Sequence, residues 1–159
     1  MSRLPIDAPV ADFTLPAVGA VADGAPFTLS ARRGKIVALY FYPRDSTPGC
    51  TTEAQQFRDL YPEFLQAGAE VVGVSRDSLK SHANFRAKQT LPFLLLSDPE
   101  ETLCQQFDVI KQKNMYGKSV RGIERSTFVI DAHGILRREW RGVKVPGHAQ
   151  DVLNFVKSL

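Results

Sequence analysis

Ile36-Val-Ala-Leu-Tyr-Phe-Tyr42, followed at once by Pro43-Arg-Asp-Ser-Thr-Pro-Gly-Cys50, is the stretch whose reading decides the fold. A continuous apolar run of this kind has no polar face to turn to water, so it predicts a central strand buried on both sides. Arg33-Gly34-Lys35 leads into the run, and Pro43, which has no amide proton to give to a ladder, ends it. Beyond Cys50 the period changes. Ala54, Phe57, Tyr61, Phe64 and Leu65 recur at helical spacing as far as Gly68, which is placed to stop the helix, while Pro62 predicts a kink inside it.

Working outward, a strand over 70–75, a helix over 79–89 and a short strand over 92–96 complete a βαβαβ order. Alternation of this kind favours an α/β architecture, a mostly parallel sheet covered by helices on both faces. A short helical piece over 102–107 comes next. Residues 126–130 and 135–140 flank Asp131-Ala-His-Gly134 and predict an antiparallel pair, and a last helix over 147–159 turns Ala149, Val152, Leu153 and Val156 inward. The Pro-, Ala- and Gly-rich segment 5–26 reads as loops with a small hairpin.

The 159 residues, 43% of them hydrophobic, suffice for one core, so 1–159 is expected to be a single domain. A net charge of +3 is spread along the chain; its densest basic stretch is only Arg137, Arg138, Arg141 and Lys144, too little for a nucleic-acid partner. Residues 1–9 lack a basic start and an apolar signal core, and no apolar run approaches the ~20 residues of a membrane span. The two cysteines form no C-x-x-C pair, which argues against a disulfide scaffold, a dithiol motif and a cysteine zinc cluster. Reduced thiols in the cytoplasm are expected, with no metal and no cofactor.

The chemistry lies in residues 43–50. Ligands of open α/β sheets sit beyond the carboxyl ends of strands, where a helix start offers unpaired amides and partial positive charge. A thiol at such a point is easier to ionise and becomes a nucleophile. The bland alternative is that Cys50 is a small buried hydrophobe. Pro48-Gly49 allows a sharp turn and a close approach of backbone, and Thr47 brings a hydroxyl three residues before the sulfur.

Pro43-x-x-x-Thr47-x-x-Cys50 resembles the peroxiredoxin active-site motif P-x-x-x-[TS]-x-x-C. The wider string Phe41-Tyr-Pro-Arg-Asp-Ser-Thr-Pro-Gly-Cys-Thr-Thr-Glu53, together with Gly122-Ile-Glu-Arg-Ser-Thr-Phe128, is similar to the bacterioferritin comigratory protein, or peroxiredoxin Q, subfamily. The resemblance runs from Pro9 to the last helix. It implies a thioredoxin-like fold, a central mixed β-sheet flanked by helices, and a thiol peroxidase of antioxidant defence. Its substrates would be hydrogen peroxide and organic hydroperoxides, attacked by Cys50, which becomes a sulfenic acid. By the same resemblance Thr47 bonds the thiolate and the peroxide, Pro43 shields the pocket from water, Arg125 holds the thiolate as an anion and Glu53 orients Arg125. Read alone, Arg125 has a competing reading as a surface ion-pair partner of Glu124.

Members of this subfamily commonly carry a resolving cysteine five residues after the nucleophile or on the following helix. Those positions are Gln55 and Arg86 here. A one-Cys enzyme is therefore expected, with an external thiol such as thioredoxin, glutaredoxin or glutathione as reductant. Cys104, between Leu103 and Phe107, reads as a buried structural thiol. The relatives suggest a monomer. His82, His133 and His148, in helix, turn and loop settings, give no support to another mechanism. The rival from a different class is a peroxide-sensing redox interaction protein, whose cysteine would oxidise slowly.

Overall fold

The computed structural model describes residues 4–19 and 24–159. The expected central strand is β3 (Ile36–Phe41), and its side chains alternate between two cores. Ala38, Tyr40 and Tyr42 join one cluster; Val37, Leu39 and Phe41 join the other. Burying a large apolar side chain contributes roughly 1.5–3 kcal/mol, so a strand that fills both cores anchors the fold.

The first hairpin is β1 (Thr14–Val18) with β2 (Ala25–Thr28), and its connection lies partly outside the described residues. After β3 come α1 (Pro48–Gln66), β4 (Ala69–Ser75), α2 (Leu79–Gln89) and β5 (Leu94–Ser97), so the expected strand at 92–96 lies slightly later. The chain goes on through α3 (Thr102–Gln106), β6 (Ile110–Met115) and β7 (Lys118–Ile123), then β8 (Ser126–Ile130), β9 (Leu136–Arg141) and α4 (His148–Lys157). Among the described residues, seven strands form one mixed sheet in the order β2-β1-β5-β4-β3-β8-β9. The crossovers behave as the βαβαβ pattern requires: β3 runs parallel to β4, and β4 to β5. The pair β8–β9 is antiparallel, as the Asp131–Gly134 turn predicts. α1 continues through Pro62, which sits on its exposed face.

α1 and α4 pack on one face of the sheet, where Ala54, Phe57, Phe64, Val152, Leu153 and Val156 meet Ala38 and Tyr40. α3 packs on the other, where Leu103, Cys104 and Phe107 meet Phe41 and Phe128. Gly73 in β4 is required by contact, since a Cβ there would come within 3.0 Å of the Tyr40 ring and 2.9 Å of Leu95.

Two strands were not read from the sequence. β6 and β7 form a separate two-stranded sheet whose middle residues, Lys111 to Asn114 and Lys118 to Arg121, are polar apart from Val120, so no hydrophobic alternation marks them. Their turn is Tyr116-Gly117, both at positive φ (53° and 77°), the backbone of a two-residue hairpin.

Candidate active site

Cys50 is the third residue of α1, one turn in from the N-cap Thr47, and it is 1% exposed. Pro48 at the first helical position fits its fixed φ and missing amide proton. Glu53 follows Cys50 by three residues and so lies on the same helix face. The third member arrives from far along the chain. Arg125 lies between β7 and β8, its carbonyl accepting from the Val143 amide (3.0 Å).

The Arg125 guanidinium spans the other two: Nη1 donates to Glu53 Oε1 at 2.7 Å and Nη2 to Cys50 Sγ at 3.5 Å. The ion pair of Arg125 is thus with buried Glu53, not with its neighbour Glu124. Gly49 makes room for it, because a Cβ there would stand 3.1 Å from Arg125 Nη2. Burial pushes the Glu53 carboxyl up to about 7, although the charge and hydrogen bond of Arg125 pull it down. Burial works against the Arg125 charge, but Glu53 and Cys50 outweigh it and hold the guanidinium above its ordinary range.

Of the other expected residues, Pro43 lies half-buried two residues beyond the end of β3, and the Thr47 hydroxyl donates to the Arg44 carbonyl at 2.9 Å. Cys104 is fully buried in the core on the opposite sheet face from Cys50. Burial, and next the neighbouring Asp98, push its thiol well above the ordinary range.

A buried polar clamp was not foreseen. Asp45, in the loop before Cys50, accepts from Tyr42 Oη (2.6 Å) and Ser81 Oγ (2.8 Å), and lies 2.7 Å from His82 Nδ1. His82 Nε2 donates to the Leu96 carbonyl at 2.8 Å. The Asp45 amide donates to Asp77 (2.9 Å), so Asp45, Asp77 and His82 stand within metal-ligand reach of one another, yet their polar atoms are engaged in fixing the loop to α2 and β5. The spacing of His82 and Phe85 on one helix face was the available signal for a buried histidine.

His148 opens α4, at the start of the helix expected over 147–159; it is buried, 2.7 Å from Thr127 Oγ1 and edge-on to Phe57. Burial, aided by the charge of Arg125, pushes it down to about 4, so it is uncharged at neutral pH.

Residues 6–139 match the model of the AhpC/TSA family. The chain is 53% identical to Peroxiredoxin Bcp of Xanthomonas campestris over 158 residues, 99% of this chain and 98% of that one. It belongs to the peroxiredoxins. Within them its branch is the Bcp, or peroxiredoxin Q, subfamily, and as a peroxiredoxin it is a thiol peroxidase with a thioredoxin fold. The structure of a cysteine-to-serine mutant of Xylella fastidiosa PrxQ superposes with a TM-score of 0.91 at 46% identity, covering 99% of this chain and 98% of the other. A second structure is that of Xanthomonas campestris bacterioferritin comigratory protein, described for its alkyl peroxide reduction activity. It matches with a TM-score of 0.85 at 54% identity over 92% of this peroxiredoxin and 90% of its own chain.

Proposed function

We propose that this chain is a one-Cys peroxidase whose nucleophile is Cys50 and which returns to its reduced state through an external thiol. The observation that carries the reading is the Arg125 guanidinium, held by Glu53 at 2.7 Å and directed at Cys50 Sγ at 3.5 Å. A fixed cation beside a sulfur stabilises the thiolate, and it stabilises negative charge that builds on the departing oxygen. Attack on the terminal oxygen of a hydroperoxide converts Cys50 to a sulfenic acid. In this reading Thr47 hydrogen-bonds the peroxide and Pro43 keeps water from the pocket. The alkyl peroxide reduction described for the Xanthomonas relative supports organic hydroperoxides, alongside hydrogen peroxide, as substrates.

Three features support the one-Cys part. Gln55 bonds Gln89 Oε1 (2.9 Å) and Arg86 donates to the Phe93 carbonyl (3.0 Å), so the two usual resolving positions hold side chains that tie α1 to α2 and α2 to the start of β5. Cys104 sits behind the sheet from Cys50. A thioredoxin, glutaredoxin or glutathione thiol would then attack the sulfenic acid, forming a mixed disulfide that a second thiol clears. Reduced thiols suit the cytoplasm, and among the described residues no helix is long and apolar enough to cross a membrane. We take the working form to be a monomer.

Stopped-flow fluorescence of Trp140, mixing reduced protein with hydrogen peroxide, tests the reading. Oxidation orders of magnitude faster than that of a free thiol, abolished by Cys50→Ser, is the expected result. Oxidation at free-thiol rates would transfer the chain to the peroxide-sensing class.

A further inference from the structure

Two polar atoms in the core beside Cys50 have no hydrogen-bond partner among the described residues, Glu53 Oε2 and Tyr40 Oη, and both residues are 1% exposed. An unpaired polar atom inside a protein costs roughly 1–3 kcal/mol, so such an atom at a reactive site calls for a role. The other Glu53 oxygen is committed to Arg125, which also contacts Cys50. Tyr40, from β3, feels the same site: burial raises its hydroxyl well above its ordinary value, and the charges of Glu53, Cys50 and Asp45 raise it further. From α4, His148 is uncharged at neutral pH. The fixed charge facing Glu53 is therefore Arg125, whose guanidinium also meets the Cys50 sulfur that must attack as an anion.

A thiolate and a carboxylate would set two anions against the one cation Arg125, whereas a single proton on Glu53 makes the site neutral. Burial lifts the Glu53 carboxyl up to about 7, so most molecules carry that proton at about pH 6 and about half carry it at about pH 7.

We propose that Glu53 donates, from Oε2, the proton that the leaving oxygen of the hydroperoxide needs. The inference rests on the peroxidase reading above. The Cys50 sulfur attacks the terminal oxygen; an S–O bond forms and the O–O bond breaks. Sulfur is oxidised by two electrons to a sulfenic acid that keeps the peroxide's OH. The electron pair of the broken bond passes to the alkoxy oxygen, which takes the Glu53 proton and departs as an alcohol or, from hydrogen peroxide, as water. Before the step the site holds thiolate, guanidinium and carboxylic acid; after it, sulfenic acid, guanidinium and carboxylate. Its net charge is zero throughout: the negative charge passes from the Cys50 sulfur to the Glu53 carboxylate, and both positions face the Arg125 guanidinium.

Glu53→Gln tests this, because the amide keeps the shape and can still accept from Arg125 but has no proton to transfer. The variant and the unaltered protein are each mixed with tert-butyl hydroperoxide, whose alkoxide leaving group needs a proton, and with peracetic acid, whose acetate does not. The expected result is a fall of about 100-fold or more with the alkyl hydroperoxide, the low end of general-acid effects, and a change within about threefold with the peracid. An equal fall with both oxidants would overturn the proposal and leave Glu53 as the holder of Arg125. Should the unaltered protein react fast with neither, the peroxidase reading itself fails and takes this one with it. A second measurement needs no substitution: in the unaltered protein the ratio of the two rates should drop about fourfold between about pH 6 and about pH 7.5 as Glu53 loses its proton. A flat ratio overturns the proposal.

Discussion

Cys50 and Cys104 hold the same place in their helices, the third position after the N-cap, and both are buried, at 1% and 0% exposure. Their surroundings differ in the sign of the nearest charge. Beside Cys50 the nearest charged group is the Arg125 guanidinium, 3.5 Å from the sulfur. Beside Cys104 it is the Asp98 carboxylate, which accepts from the Cys104 amide at 2.8 Å and raises a thiol already raised by burial. A helix start and a dry setting are thus common to the proposed nucleophile and to Cys104. What separates them is a counter-charge delivered from a distant part of the chain.

The comparison breaks most directly at Arg125. Arg125→Gln takes the cation from Cys50 and leaves two buried groups, as though Cys50 had been given the surroundings of an ordinary core thiol. The second-order rate of oxidation by hydrogen peroxide should drop by about 10²–10³, the loss that follows removal of one fixed donor at an oxyanion site. A drop of less than about threefold in stopped flow would show that the helix start suffices without its partner.

The same charges act on stability, and here the expected effect reaches about 3 kcal/mol for each group. His148 is pushed from 6.5 down to about 4, so the folded protein binds fewer protons than the unfolded chain in that window, and stability is lost as pH falls through it. Glu53 is raised from 4.5 to about 7, so the folded protein binds more protons there, and stability is lost as pH rises through that window. The two trends nearly cancel. Urea midpoints should therefore change little between about pH 4.5 and about pH 6.5 in the unaltered protein. Glu53→Gln should expose a loss toward acid, and His148→Gln a loss toward neutrality. Parallel pH profiles for all three proteins would contradict these assignments.

How legible this was depends on distance along the chain. β3, α1 and the βαβαβ order follow from local period, and the placement of Cys50 at a helix start follows from the same reading. The hairpin β6–β7 escaped because Lys111 to Asn114 and Lys118 to Arg121 carry too few apolar residues to alternate, and Tyr116-Gly117 lacks the usual Asn of a tight turn. Arg125 and Glu53 were named only by family resemblance, since no spacing rule links residues 72 apart. The Asp45–His82 contact, 37 residues apart, had no such resemblance behind it and went unread. Polar groups meeting across crossovers leave no periodic trace.

Gly49 offers a finer adjustment of the same contrast. The Cβ of Gly49→Ala would stand 3.1 Å from Arg125 Nη2, so the guanidinium must yield by a few tenths of an ångström while its charge and its Glu53 partner stay in place. Because only geometry changes, the oxidation rate should fall by a few-fold, on the order of 3 to 10, well short of the Arg125→Gln loss. A loss as large as that of Arg125→Gln would mean that position, and not charge, dominates.

The smallest effect is expected at Cys104. Cys104→Ala removes one buried sulfur and should cost about 1 kcal/mol of stability, seen as a lower urea midpoint. Peroxide turnover with an external thiol should be unchanged, because the sulfur lies behind the sheet and its proton is held by burial and by Asp98. Native alkylation with iodoacetamide, read by mass spectrometry, checks the same point from the other side: Cys50 should be labelled and Cys104 spared until the protein is unfolded. If Cys104 is labelled in the native protein, or if its loss slows recycling while leaving the first oxidation intact, the two cysteines act as a pair. The opposite charges beside them would then mark a donor and an acceptor within one cycle, in place of one reactive and one silent thiol.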